Sequence, residues 1–139
     1  MNRQEAVISI KGTQYFDGQP DITELSVVGT YLKTDKGIVL EYDDYDSVTG
    51  GKTVIALGDD ALLMTRYGDI TTEMYFKEGE RSNSEYSTPF GNMTVGIYTV
   101  QLSHAETQNA MTILLEYNID FNSGFVARNM LEISVNIKD

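Results

Sequence analysis

Arg66 is the first residue whose position asks for chemistry. In "ALLMTRYG" (61–68) it shares parity with Leu62 and Met64, so a strand there carries a guanidinium on its apolar face. Burying an unpaired charge is costly, so such an arginine needs an acid or an anionic ligand. Its planar fork can hold a carboxylate or phosphate by two parallel hydrogen bonds. The plainer alternative is a long stem that carries the charge to solvent or to one of the 21 acids. Tyr42, Tyr86 and Tyr98 offer hydroxyls to the same kind of ligand. Met74, with Met64, Met93, Met111 and Met130, offers adaptable apolar surface that suits either a cavity lining or a filled core.

The other chemistry-bearing residues point elsewhere. His104 is the only histidine. One histidine cannot build a three-histidine zinc site, and no Gly-x-Ser-x-Gly elbow supplies a nucleophile for it to serve. At the end of "YTVQLSH" it reads as a surface or turn residue. The run "EYDDYD" (41–46) packs four carboxylates into six residues, but lacks the loop order of a calcium site. Strand alternation sends its carboxylates to both faces, which suits a solvated hairpin arm that resists aggregation. "GDD" (58–60) lies between two strand patterns and reads as a tight turn. There is no Walker loop, dinucleotide fingerprint or HExxH. No metal site, cofactor or catalytic residue is assigned.

The balance of charge narrows the partners. A formal net charge of -11, with the ten Lys and Arg residues scattered, makes nucleic acid and anionic membrane surfaces poor partners. The absence of cysteine excludes a disulfide framework and thiolate chemistry. "MNRQEAVISIKG" alternates without the apolar run of a signal peptide, which gives the expectation of a cytoplasmic protein.

The elements that must position these residues are strands. In "AMTILLEYNIDF" (110–121), Met111, Ile113, Leu115, Tyr117, Ile119 and Phe121 share one parity, and polar residues hold most of the other. From 126 to 138, Ala127, Leu131, Ile133, Val135 and Ile137 repeat the pattern. Turn signals recur at 16–21, 34–37, 48–51, 57–60, 67–69, 78–83 and 122–124. Ten strands follow, over roughly 5–14, 22–33, 38–47, 52–57, 61–67, 70–77, 82–88, 92–104, 110–121 and 126–138, with an irregular or short helical piece at 104–109. The fold class is all-β. One domain spans 1–139, an antiparallel up-and-down meander closed into a barrel of about eight to ten strands, since closure alone removes exposed edges. In "YSTPFGNM" (86–93), Pro89-Phe90-Gly91 is expected to form a three-residue hairpin loop with positive φ at Gly91. Tyr86 would then oppose Thr94 and reach over Gly96.

"TQYFDG" (13–18), "GTYL" (29–32), "LLMTRYG" (62–68), "TEMYF" (72–76), "YSTPFGNM" (86–93) and "LLEYNID" (114–120), in this order, resemble the YwiB-like family of uncharacterised bacterial β-barrel proteins. The resemblance covers nearly the whole chain. It implies a calycin-like closed barrel, akin to lipocalins, and a bacterial, non-secreted setting. It supplies no catalytic residues to transfer.

Three functional readings follow. In the first, the barrel interior holds a small amphipathic or anionic ligand, with Arg66, Tyr42, Tyr86, Tyr98 and Met74 as the binding residues. In the second, the barrel is filled and an outer face docks another protein or a second copy, so a homodimer is possible; apolar residues on both parities, such as Val27 and Val28, motivate it. An enzyme ranks last, because no spacing isolates an acid–base pair.

Overall fold

The computed structural model describes residues 3–16, 18–44, 51–68, 71–122 and 124–138. Ten strands appear in chain order: β1 (Gln4–Phe16), β2 (Gln19–Thr34), β3 (Gly37–Asp44), β4 (Gly51–Leu57), β5 (Ala61–Tyr67), β6 (Thr72–Lys77), β7 (Arg81–Thr88), β8 (Gly91–Glu106), β9 (Ala110–Phe121) and β10 (Gly124–Ile137). They form one antiparallel sheet in the order β6-β5-β4-β3-β2-β1-β10-β9-β8-β7, curled into a nearly closed, calycin-like barrel. The piece at 104–109 is not helical: β8 runs to Glu106, and Thr107 N–H donates to the Ala110 carbonyl at 2.8 Å across a turn.

The barrel closes through a turn rather than a ladder. Between β6 and β7, Gly79 N–H donates to the Thr99 carbonyl (2.8 Å), and Thr99 N–H donates to the Glu80 carbonyl (3.1 Å). The Leu102 N–H adds a bond to Glu78 Oε1 at 3.1 Å. These bonds pair backbone groups that the last strand edges would otherwise leave open.

Inward residues follow the alternation of each strand, and they fill one end of the barrel. Ile8, Leu40, Ile55, Leu62, Phe76, Ile97, Ile113 and Ile133 are among the fully buried side chains there. A bulge in β8 between Thr99 and Gln101 shifts the register against β9. Ile97 and Thr99 therefore point inward before it, and Leu102 after it, while Tyr98 faces the other way.

Gly37 opens β3 at φ 140°, and a Cβ there would strike the Leu57 carbonyl oxygen. Gly37→Ala meets both a backbone penalty and an unyielding contact, with an expected cost of about 2–4 kcal/mol. A urea midpoint unchanged from the parent would contradict this.

The hairpin at 86–93 differs in register from the sequence expectation. Gly91 has positive φ, 116°, as expected. However, Thr88 pairs with Gly91, so the loop is Pro89-Phe90 and Tyr86 opposes Met93, not Thr94. Gly96 is covered from elsewhere. Arg81 lies across it to make a two-pronged bond to Asp120, with both N–O distances 2.8 Å, and a Cβ on Gly96 would collide with the guanidinium.

Candidate functional site

The other end of the barrel is not filled. A cavity of about 630 Å³ is lined by Ile10 and Gly12 of β1, Thr23, Glu24 and Leu25 of β2, Tyr42 of β3, Met64 and Arg66 of β5, Thr72 and Met74 of β6, Tyr117 of β9 and Leu131 of β10. That volume falls among small-molecule sites, roughly 300–1,000 Å³. Gly12 helps make the room, since a Cβ there would press on Thr23 and Leu131.

Three of the polar wall residues, Tyr42, Arg66 and Thr72, belong to one cross-strand row. Tyr42 pairs with Thr53, Thr53 with Arg66, and Arg66 with Thr72. Directly opposed side chains on one face are neighbours, so these four residues run as a band across β3 to β6. Tyr42 and Thr53 are buried, while Arg66 is exposed at the rim. Among the described residues the Arg66 side chain forms no ion pair or hydrogen bond. Glu41 meets Arg3 and Lys52 on the outer side, while Glu24 of β2 lines the same cavity as Arg66 without pairing with it.

Across the cavity, Tyr117 is buried and packs on Phe76 with ring centroids 4.8 Å apart. It pairs with Thr99 on one side and Asn129 on the other. Among the described residues Thr99 Oγ1 and Asn129 Nδ2 are buried without a hydrogen-bond partner. Burial pushes the Tyr117 phenol above its ordinary 10.0, and the Arg66 charge pulls it partly back. The folded state thus holds this proton more tightly than the unfolded chain. The group adds stability below pH 10.0 and loses it as the pH rises through the folded value. Tyr117→Phe is expected to lessen the fall in urea midpoint above pH 10.0; a fall as steep as the parent's would contradict it.

Of the residues singled out in the sequence, Arg66, Tyr42 and Met74 meet in this cavity. Tyr98 does not: it stands half-exposed on the outer face of β8, beside Arg81 and Asn118. The side chain of Tyr86 lies outside the described residues, as does the second half of the acidic run. Met111 is core, Met93 packs against the core, and Met130 faces outward. His104 is exposed. Sequence reasoning passed over Tyr117, although it shares parity with the apolar residues of its strand. Among the described residues no three His, Cys, Asp or Glu side chains gather as a metal site, and no helix is long and apolar enough to cross a membrane.

Comparison with known proteins agrees with the fold. The crystal structure of the ywiB protein from Bacillus subtilis superposes with a TM-score of 0.82 at 19% identity, covering 99% of this chain and 94% of that one. Among curated proteins no relative matches the chain. The sequence profile of a domain of unknown function, DUF1934, matches residues 8–133. With nearly the whole barrel inside that match, from β1 to β10, the chain belongs to the DUF1934 family.

Proposed function

We propose that the barrel binds a small amphipathic anion in its unfilled end, with the head group on Arg66 and the apolar body against Met64, Met74, Ile10, Leu25 and Leu131. One observation carries this reading: an arginine whose side chain has no partner among the described residues stands at the rim of a cavity with both polar and apolar walls, in a chain with a formal net charge of -11. With acids in such excess, a guanidinium left unpaired there suits an anion brought from outside. Tyr42 and Thr72 flank the head group, and the methionines adapt to the body.

Calorimetric titration with dodecanoate and with dodecanol tests it. Dodecanoate is expected to bind one per chain, and dodecanol far more weakly, since it lacks the charge. Equal affinity for the two, or no binding of dodecanoate, overturns the reading.

An interaction role has one observation in its favour. Tyr15, Leu114 and Met130 line a shallow groove of about 250 Å³ on the outer face of β1, β10 and β9. Leu114 and Met130 are each 41% exposed.

A further inference from the structure

The cavity reaches the edge of a strand as well as its face. β5, β6 and β1 each contribute alternate residues to the wall, as a strand seen on one face must. β2 contributes three in succession: Thr23, Glu24 and Leu25. The sheet topology gives the reason. β2 pairs with β1 from Gln19 to Tyr31, but with β3 only from Thr30 to Thr34. Beyond Thr30 the two strands part. At the parting point Gly29 lets them cross closely, since a Cβ there would strike the Glu41 carbonyl oxygen and press on Tyr42. The next residues of β3, Tyr42 to Asp44, are in register with β4.

Among the described residues, then, Gln19 to Gly29 of β2 has no strand on its β3 side. Pro20 sits within this stretch, and proline is tolerated in sheets at edges, where no neighbour needs its missing N–H. Alternate residues of the stretch turn their N–H and C=O groups toward the gap, and Thr23 to Leu25 on one side of it and Tyr42 on the other both line the cavity. A ligand lying there meets an unpaired main-chain edge on one wall and the Arg66 guanidinium on another. A fatty chain could use the second feature but not the first. An extended peptide could use both, because it carries the complementary row of amides and, at its end, a carboxylate.

We propose that the ligand of this cavity is an extended peptide segment with a free C-terminal carboxylate. It adds as a strand to the β2 edge at Thr23–Leu25 and sets its carboxylate on Arg66. This rests on the anion-binding reading above and narrows its ligand class. The reach is short, three or four residues, because the cavity meets β2 over only three. Side-chain demands are modest: one parity of the peptide faces Met64, Met74 and Leu131, and the other faces solvent.

The test varies the ligand and leaves the protein intact. Five probes are titrated calorimetrically into the full chain: an acetylated tetrapeptide of alternating threonine and valine with a free carboxylate, its C-terminal amide, the free acid methylated at alternate amide nitrogens in each of the two registers, and dodecanoate. The free acid is expected to bind. The amide and one of the two methylated registers are expected to bind about ten- to a hundredfold more weakly, the scale of losing hydrogen bonds to a charged group or several to a strand edge. An amide that binds as well as the acid overturns the role of the carboxylate. Both methylated registers binding like the parent overturns strand addition. Dodecanoate binding without the free acid overturns the peptide and leaves the anion site standing, whereas no binding of dodecanoate removes the anion reading and this proposal with it.

Discussion

Replacing Phe76 with alanine is expected to cost about 3–5 kcal/mol, the range for a fully buried aromatic truncated in a packed core. Phe76 has 0% exposure and sits on β6 next to the turn that closes the barrel. Its ring meets Tyr117 at 4.8 Å with the planes tilted by 57°, an arrangement that adds about 0.5–1.5 kcal/mol beyond area alone. The loss is a large share of the roughly 5–15 kcal/mol that holds a domain together. Two effects combine. The apolar area is lost, and the cavity left behind cannot collapse, because β6 is pinned on one side by its ladder to β5 and on the other by the turn at Gly79. The expected signature is a lower urea midpoint with an unchanged slope. Phe76→Leu should recover much of the loss. A cost below about 1 kcal/mol for alanine would show that this wall is not packed as described.

Replacing Arg66 with glutamine is expected to act on binding, not on folding. Arg66 is exposed and has no partner among the described residues, so the fold should change by no more than about 0.5 kcal/mol. Hydrogen bonds to a charged group are worth about 1.5–3 kcal/mol. Dodecanoate binding should therefore weaken roughly ten- to a hundredfold. Arg66→Lys should fall between, because an ammonium keeps the charge and loses the planar fork. A second readout separates this from a merely structural effect. The Arg66 charge lowers the Tyr117 phenol against the pull of burial, so Arg66→Gln should raise the apparent titration of that tyrosine in ultraviolet absorbance. Unaltered dodecanoate affinity in the glutamine variant would remove Arg66 from the site.

The strands and their inward faces were largely legible in the sequence, because alternation with a period of two survives wherever one face is buried. Ile113, Leu115, Ile133 and Val135 all point inward as their parity implies. Arg66 was legible for the same reason, as a charge on the parity of Leu62 and Met64. Tyr98 was not. It shares parity with Val100 and Leu102 in the sequence, but the β8 bulge inserts one residue between them, so Leu102 turns inward and Tyr98 stays out. The cover over Gly96 was also hidden: Arg81 and Asp120 are 39 positions apart, and no local spacing announces that pair. The turn at 86–93 was read correctly in its glycine and one residue too long in its loop. The parting of β2 from β3 leaves one trace in the sequence, Pro20 inside a strand, where the turn signal at 16–21 masks it.

The central claim is that the unfilled end of the barrel is the binding site, and the methionines report on it directly. Met64 and Met74 line the cavity, Met111 sits in the filled core, and Met130 lies in the outer groove. In a carbon–proton spectrum of methyl-labelled methionine, titration with dodecanoate is expected to shift the Met64 and Met74 signals while Met130 stays in place. Movement of Met130 with Met64 and Met74 unmoved would place binding on the outer face and contradict the account.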